Sequence, residues 1–221
     1  MSLAIVQDYL RTQGLRLSPD AVQMGYLTAQ TVMNMGSAEI DRSVLWYAHD
    51  EAVLADYIEQ NEAHEAVLKK MFMALDSMLD KVGRVQSAVI YGVLPEQQLA
   101  LRLVQQGQVI EQKLLIDEST VNHYLVSRTA QNGWLNWVED VAHWLAQGEI
   151  VGEHHRRCQS QMTLPIHLSN GKVLGVLHLE AAERAAWDAE AQAAWVGLAL
   201  ALVEPLQTLF HITEETEADY V

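Results

Sequence analysis

The feature that most constrains this chain is a change of apolar period at Gly83-Arg84. Before it, Leu68, Phe72, Leu75, Leu79 and Val82 follow one another at helical spacing, and Val67, Met71, Ala74 and Met78 form a second stripe beside them. That pattern predicts one long helix over residues 62–82. Its stripes describe either a helix buried on two sides, one against a sheet and one against another helix, or a single broad buried face. After the boundary, Val85–Val93 reads VQSAVIYGV, rich in β-branched residues that alternate in the manner of a strand. A long amphipathic helix feeding a sheet restricts the fold class to α+β or α/β.

The later punctuation favours α+β with an antiparallel sheet. Leu94-Pro95-Glu96 is a turn, and Gln98–Gln105 a second strand with Leu99, Leu101 and Leu103 on one face. Gln106-Gly107-Gln108 breaks the chain before a third strand, Val109–Ile116, and Ser119 is placed to cap a helix reaching about Ala130. Gln161–Leu168 and Val173–Glu180 are strands joined by Ser169-Asn170-Gly171-Lys172, because Asn-Gly accepts positive φ in a tight hairpin. A closing helix starts near Trp187-Asp188 and carries Ala191, Trp195, Leu198 and Leu202 on one stripe. Pro205 should end or kink it.

Upstream of residue 62 the chain reads as all-helical. Expected helices are Ala4–Thr12 (stopped by Gly14), Ser18-Pro19-Asp20 onward to Met35 (ending at Gly36), and Ser43 to about Gln60. The division expected is a helical segment over 1–60, one domain over 61–211, and a solvated acidic tail over 212–221 containing Glu214, Glu215, Glu217 and Asp219.

The net charge of −15 argues against a nucleic-acid reader, since Arg156-Arg157 beside His154 and His155 is too small a basic patch. The single cysteine, Cys158, excludes an internal disulfide and fits a reducing cytoplasm. The apolar run Trp195–Val203 is far shorter than the ~20 residues needed to span a bilayer. Met1–Gln13 lacks the basic start of a signal peptide. A cytoplasmic location with no membrane and no nucleic-acid partner is expected.

The stretch SQMTLPIHLSNGKVLGVLHLEA, with Ser160, Pro165, Gly171 and Gly175-Val176-Leu177, resembles the paired strands of the GAF family. WDAEAQAAWVGLALAL is similar to that family's closing helix, and VQSAVIYGVL to its first strand. Asn132-Gly133 with Glu139-Asp140-Val141 is similar to its loop before an Asp-Val pair. The resemblance covers roughly residues 62–210. It implies a sheet of about six strands, with the first and last helices packed together on one face. Loops and short helices cover the other face, where the family often holds a small ligand. It also implies a homodimer through a helix seam, here Leu68, Phe72, Leu75, Leu79, Trp195, Leu198 and Leu202. One stretch departs from the pattern: Trp134, Val138, Val141 and Leu145 keep helical spacing, which would make a lid helix where the family is extended.

The candidate ligand-binding residues are Tyr91, Trp134, Trp137, His143, Trp144 and His178. Tryptophan rings can stack on a flat ligand, and a strand histidine can hydrogen-bond one. Each also has a plainer reading, as lid-helix filler or as a histidine satisfied within the fold, as has His167. His154 and Cys158, four apart, would share a helix face and could begin a zinc site, but no further ligand pair completes it. His49-Asp50-Glu51 and Glu62-Ala63-His64-Glu65 lack the HExxH order. No catalytic group and no metal set is assigned, and any cofactor is unknown.

The free methionine-R-sulfoxide reductase branch of the family works with several cysteines. At the position of its catalytic cysteine, eleven residues before Pro165, this chain has His154. The bilin-attaching cysteine followed by histidine and the Asn-Lys-Phe-Asp-Glu set of cyclic-nucleotide binders are also missing. The leading expectation is a non-enzymatic signalling or regulatory module. It would bind a small molecule or a partner protein through the GAF-like domain and transmit through helices. The alternatives are a ligand-free protein-interaction scaffold and, further off, a thiol-dependent methionine sulfoxide reductase-like enzyme.

Overall fold

A computed structural model describes residues 1–35, 39–49 and 52–212. The acidic residues 214–219, Gly36 and Asp50-Glu51 lie outside the described residues.

Helices α1 (Leu3–Thr12), α2 (Pro19–Asn34) and α3 (Arg42–Leu45) precede a small hairpin of β1 (Ala48–His49) and β2 (Ala52–Val53). Then come α4 (Glu62–Val82), β3 (Val85–Leu94), β4 (Leu99–Gly107), β5 (Lys113–Leu115), α5 (Leu125–Asn132), β6 (Asn136–Val138) and α6 (Val141–Gln147). The chain continues with β7 (Ser160–His167), β8 (Val173–Ala181), α7 (Ala189–Ala201) and α8 (Val203–Leu209). Six strands form one antiparallel sheet in the order β5-β4-β3-β8-β7-β6. The fold is α+β, as the change of period at Gly83 and the turns that follow it predict.

Local chemistry sets most boundaries. The Ser18, Asn61 and Asp188 side chains accept from the backbone amides of Ala21, His64 and Ala191, capping α2, α4 and α7. Gly83 ends α4 at φ 63°, a left-handed value that glycine adopts without steric cost. α7 gives way at Leu202 to α8, whose first turn holds Pro205, where a missing amide donor is tolerated.

One apolar core joins α1, α2, α4, α7 and α8 to one face of the sheet, with Val6, Val22, Leu68, Leu101, Leu164, Leu177, Trp195 and Leu198 among its members. A smaller cluster on the opposite face packs Val89, Tyr91 and Val176 beneath Val126 and Ala130 of α5. Every residue from Ala191 to Ala201 is buried, because the sheet, α4 and α2 enclose α7. A helix apolar all round requires such an enclosure.

The seam residues therefore lie inside the chain. Leu68, Leu75, Trp195, Leu198 and Leu202 are fully buried, and Phe72 and Leu79 are half-buried against the same core. The partner that the two stripes of α4 and the apolar α7 require is supplied largely by the chain's own α2, so of these side chains only Phe72 and Leu79 keep part of their surface exposed.

Three other expectations are corrected. Residues 43–60 do not form a helix: α3 stops at Leu45, and Trp46, Tyr47 and Leu54 turn inward. Tyr47 donates its hydroxyl to the Arg102 carbonyl (2.6 Å), and the Arg102 guanidinium sits 4.4 Å from its ring. Those tertiary contacts outweigh helix propensity. The helix expected from Ser119 starts only at Leu125, because Asp117 Oδ1 accepts from the amides of Ser119 and Thr120 and holds a turn there. The third strand shrinks to Lys113–Leu115, and the lid helix from Trp134 does not form. Asn136–Val138 instead pairs with Gln161–Thr163 as the sheet's edge strand, and α6 begins at Val141.

Candidate functional site

Alternation along β8 places His178 and Glu180 on the face away from the main core, while Leu177 and Leu179 enter that core. Cross-strand pairing sets Glu180 beside Ser87 and Gln161, and His178 beside Val89 and Thr163. A short turn at Glu153–Arg157 then drops Arg157 onto this face.

Arg157 joins two carboxylates. Its Nε donates to both oxygens of Glu180 (2.9 Å each) and its Nη2 to Glu180 Oε1 (2.7 Å). Its Nη1 and Nη2 donate to the two oxygens of Glu111 (2.7 and 2.8 Å). This double fork is the strong geometry for a guanidinium. His178 Nε2 lies 3.1 Å from Glu180 Oε1. Burial alone would raise the Glu180 carboxyl, but His178 and Arg157 hold it down at about 2. Burial would raise Glu111 as well, yet Arg157 keeps it below its usual range. Burial lifts the Tyr91 phenol well above its usual range, and its hydroxyl donates to the Glu111 carbonyl (2.6 Å).

Two more histidines close the cluster. His155 sits between the Gln161 side-chain oxygen (3.1 Å) and the His123 carbonyl (2.8 Å). Burial, and next the charge of His154, lower its pKa to about 4. His154 is stacked on Tyr124 with ring centroids 4.4 Å apart. Among the described residues His178 Nδ1 and His154 Nε2 are buried without a hydrogen bond, although the His123 carbonyl acts on the His154 ring. The free space among Tyr91, His154, Arg157 and His178 is about 10 Å³, roughly the room for one water.

Of the candidate ligand-binding residues, Tyr91 and His178 line this cluster and the other four do not. Trp134 is exposed. Trp137 is half-buried against the main core on the other side of the sheet. Trp144, on α6, packs against a small separate cluster that includes Leu125, Val138 and Ile150. His143 is exposed on α6, where only its amide is engaged, by Asp140. The cause is the extended β6, which sends neighbouring side chains in opposite directions where a helix would have gathered them.

Arg157, Glu111 and Glu180 are not among the residues the sequence singles out, because Arg156-Arg157 reads as too small a basic patch and Glu180 as the end of a strand. The available signal was the alternation of VLGVLHLEA, which puts two polar groups on one face of a buried strand. Cys158 is 2% exposed, accepts from Gln161 Nε2 (3.0 Å), and has its thiol pushed up to about 12 by burial. Among the described residues no group of three or more His, Cys, Asp or Glu could hold a metal ion. Elsewhere, His167 stacks on Tyr9 and His64 Nδ1 bonds the Glu59 carbonyl, both within the fold.

Fold and site together define a GAF-like domain in which the sheet face away from the main core carries a buried polar network. A putative GAF sensor protein from Burkholderia vietnamiensis superimposes with a TM-score of 0.59 at 13% identity, covering 86% of this chain and 97% of that one. The GAF domain of a phosphoenolpyruvate-protein phosphotransferase from Acinetobacter gives 0.55 at 14% identity, covering 89% and 96%. The type II free methionine-R-sulfoxide reductase of Thermoplasma acidophilum gives 0.57 at 13% identity, covering 67% and 97%. Such likeness establishes the GAF-like fold, a scaffold shared by sensor domains and by an enzyme. No protein-family profile and no curated protein matches the sequence. Among the described residues no helix is long and apolar enough to cross a membrane.

Proposed function

We propose that the chain is a non-enzymatic regulatory module. In this reading a small polar molecule, or a polar group of a partner protein, is sensed at the Glu111–Arg157–Glu180–His178 cluster. The consequence passes to the N-terminal helices through β8 and α7. The observation that carries the reading is a buried ring nitrogen, His178 Nδ1, which has no hydrogen-bond partner among the described residues and lies beside an ion-paired network, with His154 Nε2 also unbonded nearby. Unsatisfied buried nitrogens cost stability, and an apolar pair would serve packing better. Perturbed titratable groups gathered in one place are typical of functional sites. A polar ligand that bonds these nitrogens would favour a more open arrangement of the cluster and shift the population toward it.

The state of the sole thiol, buried and held protonated, argues against the thiol-dependent reductase reading. A reductase cycle needs an attacking thiolate and a second thiol to resolve its product. The small size of the free space favours a second reading, a ligand-free scaffold whose concave face is filled by its own side chains.

Native mass spectrometry of the gently purified chain, with thermal-shift screening of polar metabolites, separates the two. A retained mass or a stabilising metabolite whose effect disappears in His178→Ala supports sensing at the cluster. A clean apo mass and a flat screen leave the scaffold reading. A ligand that binds equally well to His178→Ala and Arg157→Met refutes sensing at this site.

A further inference from the structure

The N-terminal helices do more than cover α7. β6 pairs only with Gln161–Thr163, so the rest of that edge of β7 is left to α1. Tyr9 donates its hydroxyl to the Pro165 carbonyl (2.9 Å) and stacks on His167 at 5.2 Å with the rings nearly parallel. One residue beyond α1, Gln13 donates to the Gly133 carbonyl (2.9 Å) and accepts from the Leu135 amide (2.8 Å). These long-range bonds hold α1 against the sheet edge and leave an open cavity between α1, α2 and the α7–α8 junction.

The cavity encloses about 490 Å³, within the range of small-molecule sites and far larger than the space at the polar cluster. Ile5, Tyr9, Tyr26, Leu200 and Val203 give it a mainly apolar wall. Asp8 and Glu204 are its acidic side chains, Met1 and His167 also lie in the wall, and neither Lys nor Arg does. Asp8 is tied to Arg11 at 2.6 Å, whereas Glu204 forms no ion pair among the described residues. Tyr26 and Glu204 line the cavity together, and burial, then the charge of Glu204, raises the Tyr26 phenol.

We propose that this cavity is a second ligand site, separate from the polar cluster, and that it takes a small organic monocation: an ammonium group carried on an apolar or aromatic body. The body lies on Ile5, Leu200 and Val203 and removes apolar surface from water. The cation sits at Glu204 beside the Tyr26 ring, combining charge pairing with the attraction of an aromatic face for a cation. An anion of the same shape meets an unpaired carboxylate on a protein of net charge −15. Because α1, α2 and α8 each contribute to the wall, an occupant braces the N-terminal helices against the end of the closing helix.

The test uses the full chain and two probes of matched shape and opposite charge, 3-phenylpropylammonium and 3-phenylpropanoate, measured by calorimetric titration at neutral pH and low salt. The ammonium is expected to bind with one ligand per chain and at least about tenfold more tightly than the carboxylate. Glu204→Gln, at an exposed position, should weaken the ammonium about tenfold and erase the preference. Tyr26→Phe keeps the ring and should retain binding, whereas Tyr26→Leu should lose it. His178→Ala should leave the titration unchanged, which separates this site from the polar cluster. Absence of saturable ammonium binding, equal affinity for the two probes, or indifference to Glu204→Gln overturns the proposal. So does a sedimentation profile in which the chain fills the cavity by self-association.

Discussion

Replacing Gly197 by alanine tests how tightly α2 is seated on α7. A Cβ added at Gly197 would lie 2.4 Å from the Tyr26 amide nitrogen, 2.6 Å from the Gly25 carbonyl carbon and 2.7 Å from the Val22 carbonyl oxygen. All three atoms are backbone, so no side chain can swing aside. Carbon needs about 3.5 Å from such neighbours, and the two helices would have to separate by roughly 1 Å along their crossing. In an open helix the same change would stabilise by about 1 kcal/mol through helix propensity. Overpacking costs about 1–3 kcal/mol or more, and here the separation also loosens the packing along the rest of α2. The expected net effect is a loss of about 2 kcal/mol, or roughly 4–8 °C in Tm for a chain of this size. Gly25→Ala is the graded control: its Cβ would meet Ala194 Cα at 3.0 Å, so a smaller shift suffices and the net change should lie near zero. Urea and thermal unfolding of both variants measure the pair. Gly197→Ala at or above wild-type stability would refute the close crossing of α2 and α7.

The remaining predictions concern the polar cluster. His155 has a folded pKa of about 4, below its ordinary value of 6.5, so the unfolded chain takes up a proton first as pH falls. Its contribution is fully present above pH ~6.5 and is lost as pH drops toward ~4, amounting to about 3 kcal/mol. Glu180, held at about 2, adds a further loss as pH falls from ~4.5 toward ~2. Urea midpoints between pH 7.5 and 4.5 should therefore decline from about pH 6.5 downward, and a flat profile to pH 5 would contradict the His155 environment. Arg157→Met leaves Glu111 and Glu180 facing each other without a cation and should cost about 3–5 kcal/mol at neutral pH, read by urea unfolding. The added Glu180→Gln change should recover part of that loss. Cys158 should resist a thiol reagent at neutral pH in the native state and react at once in denaturant; rapid native labelling would place the sulfur outside the core.

Elements with a strong internal period were legible in the sequence. The stripes over residues 62–82, the alternation after Gly83 and the Asn-Gly turn each fix local structure through backbone sterics and side-chain periodicity. Residues 43–60 were not legible, because the Tyr47 hydroxyl and ring are spent on Arg102, a residue 55 positions away. The tryptophans misled for a related reason. Helical spacing of Trp134, Val138, Val141 and Leu145 is also compatible with a short edge strand and a separate helix, and pairing with β7 decided between them. At the candidate site, Tyr91 and His178 could be named from their strands, but the residues that complete it arrive from a loop and a turn whose placement no local pattern encodes.

By itself the sequence determined an α+β chain, a long helix leading into an antiparallel sheet, and a closing helix with an apolar stripe to cover. It could not say what covers that helix, since an apolar stripe is satisfied equally by a second copy or by another part of the same chain. The tertiary structure decided for the chain's own α2, because Gly197 above all, with Gly25 facing it, lets the two backbones approach where larger side chains would hold them apart. It also decided that Arg157 lies between Glu111 and Glu180, as burying either acid without that cation would be far too costly.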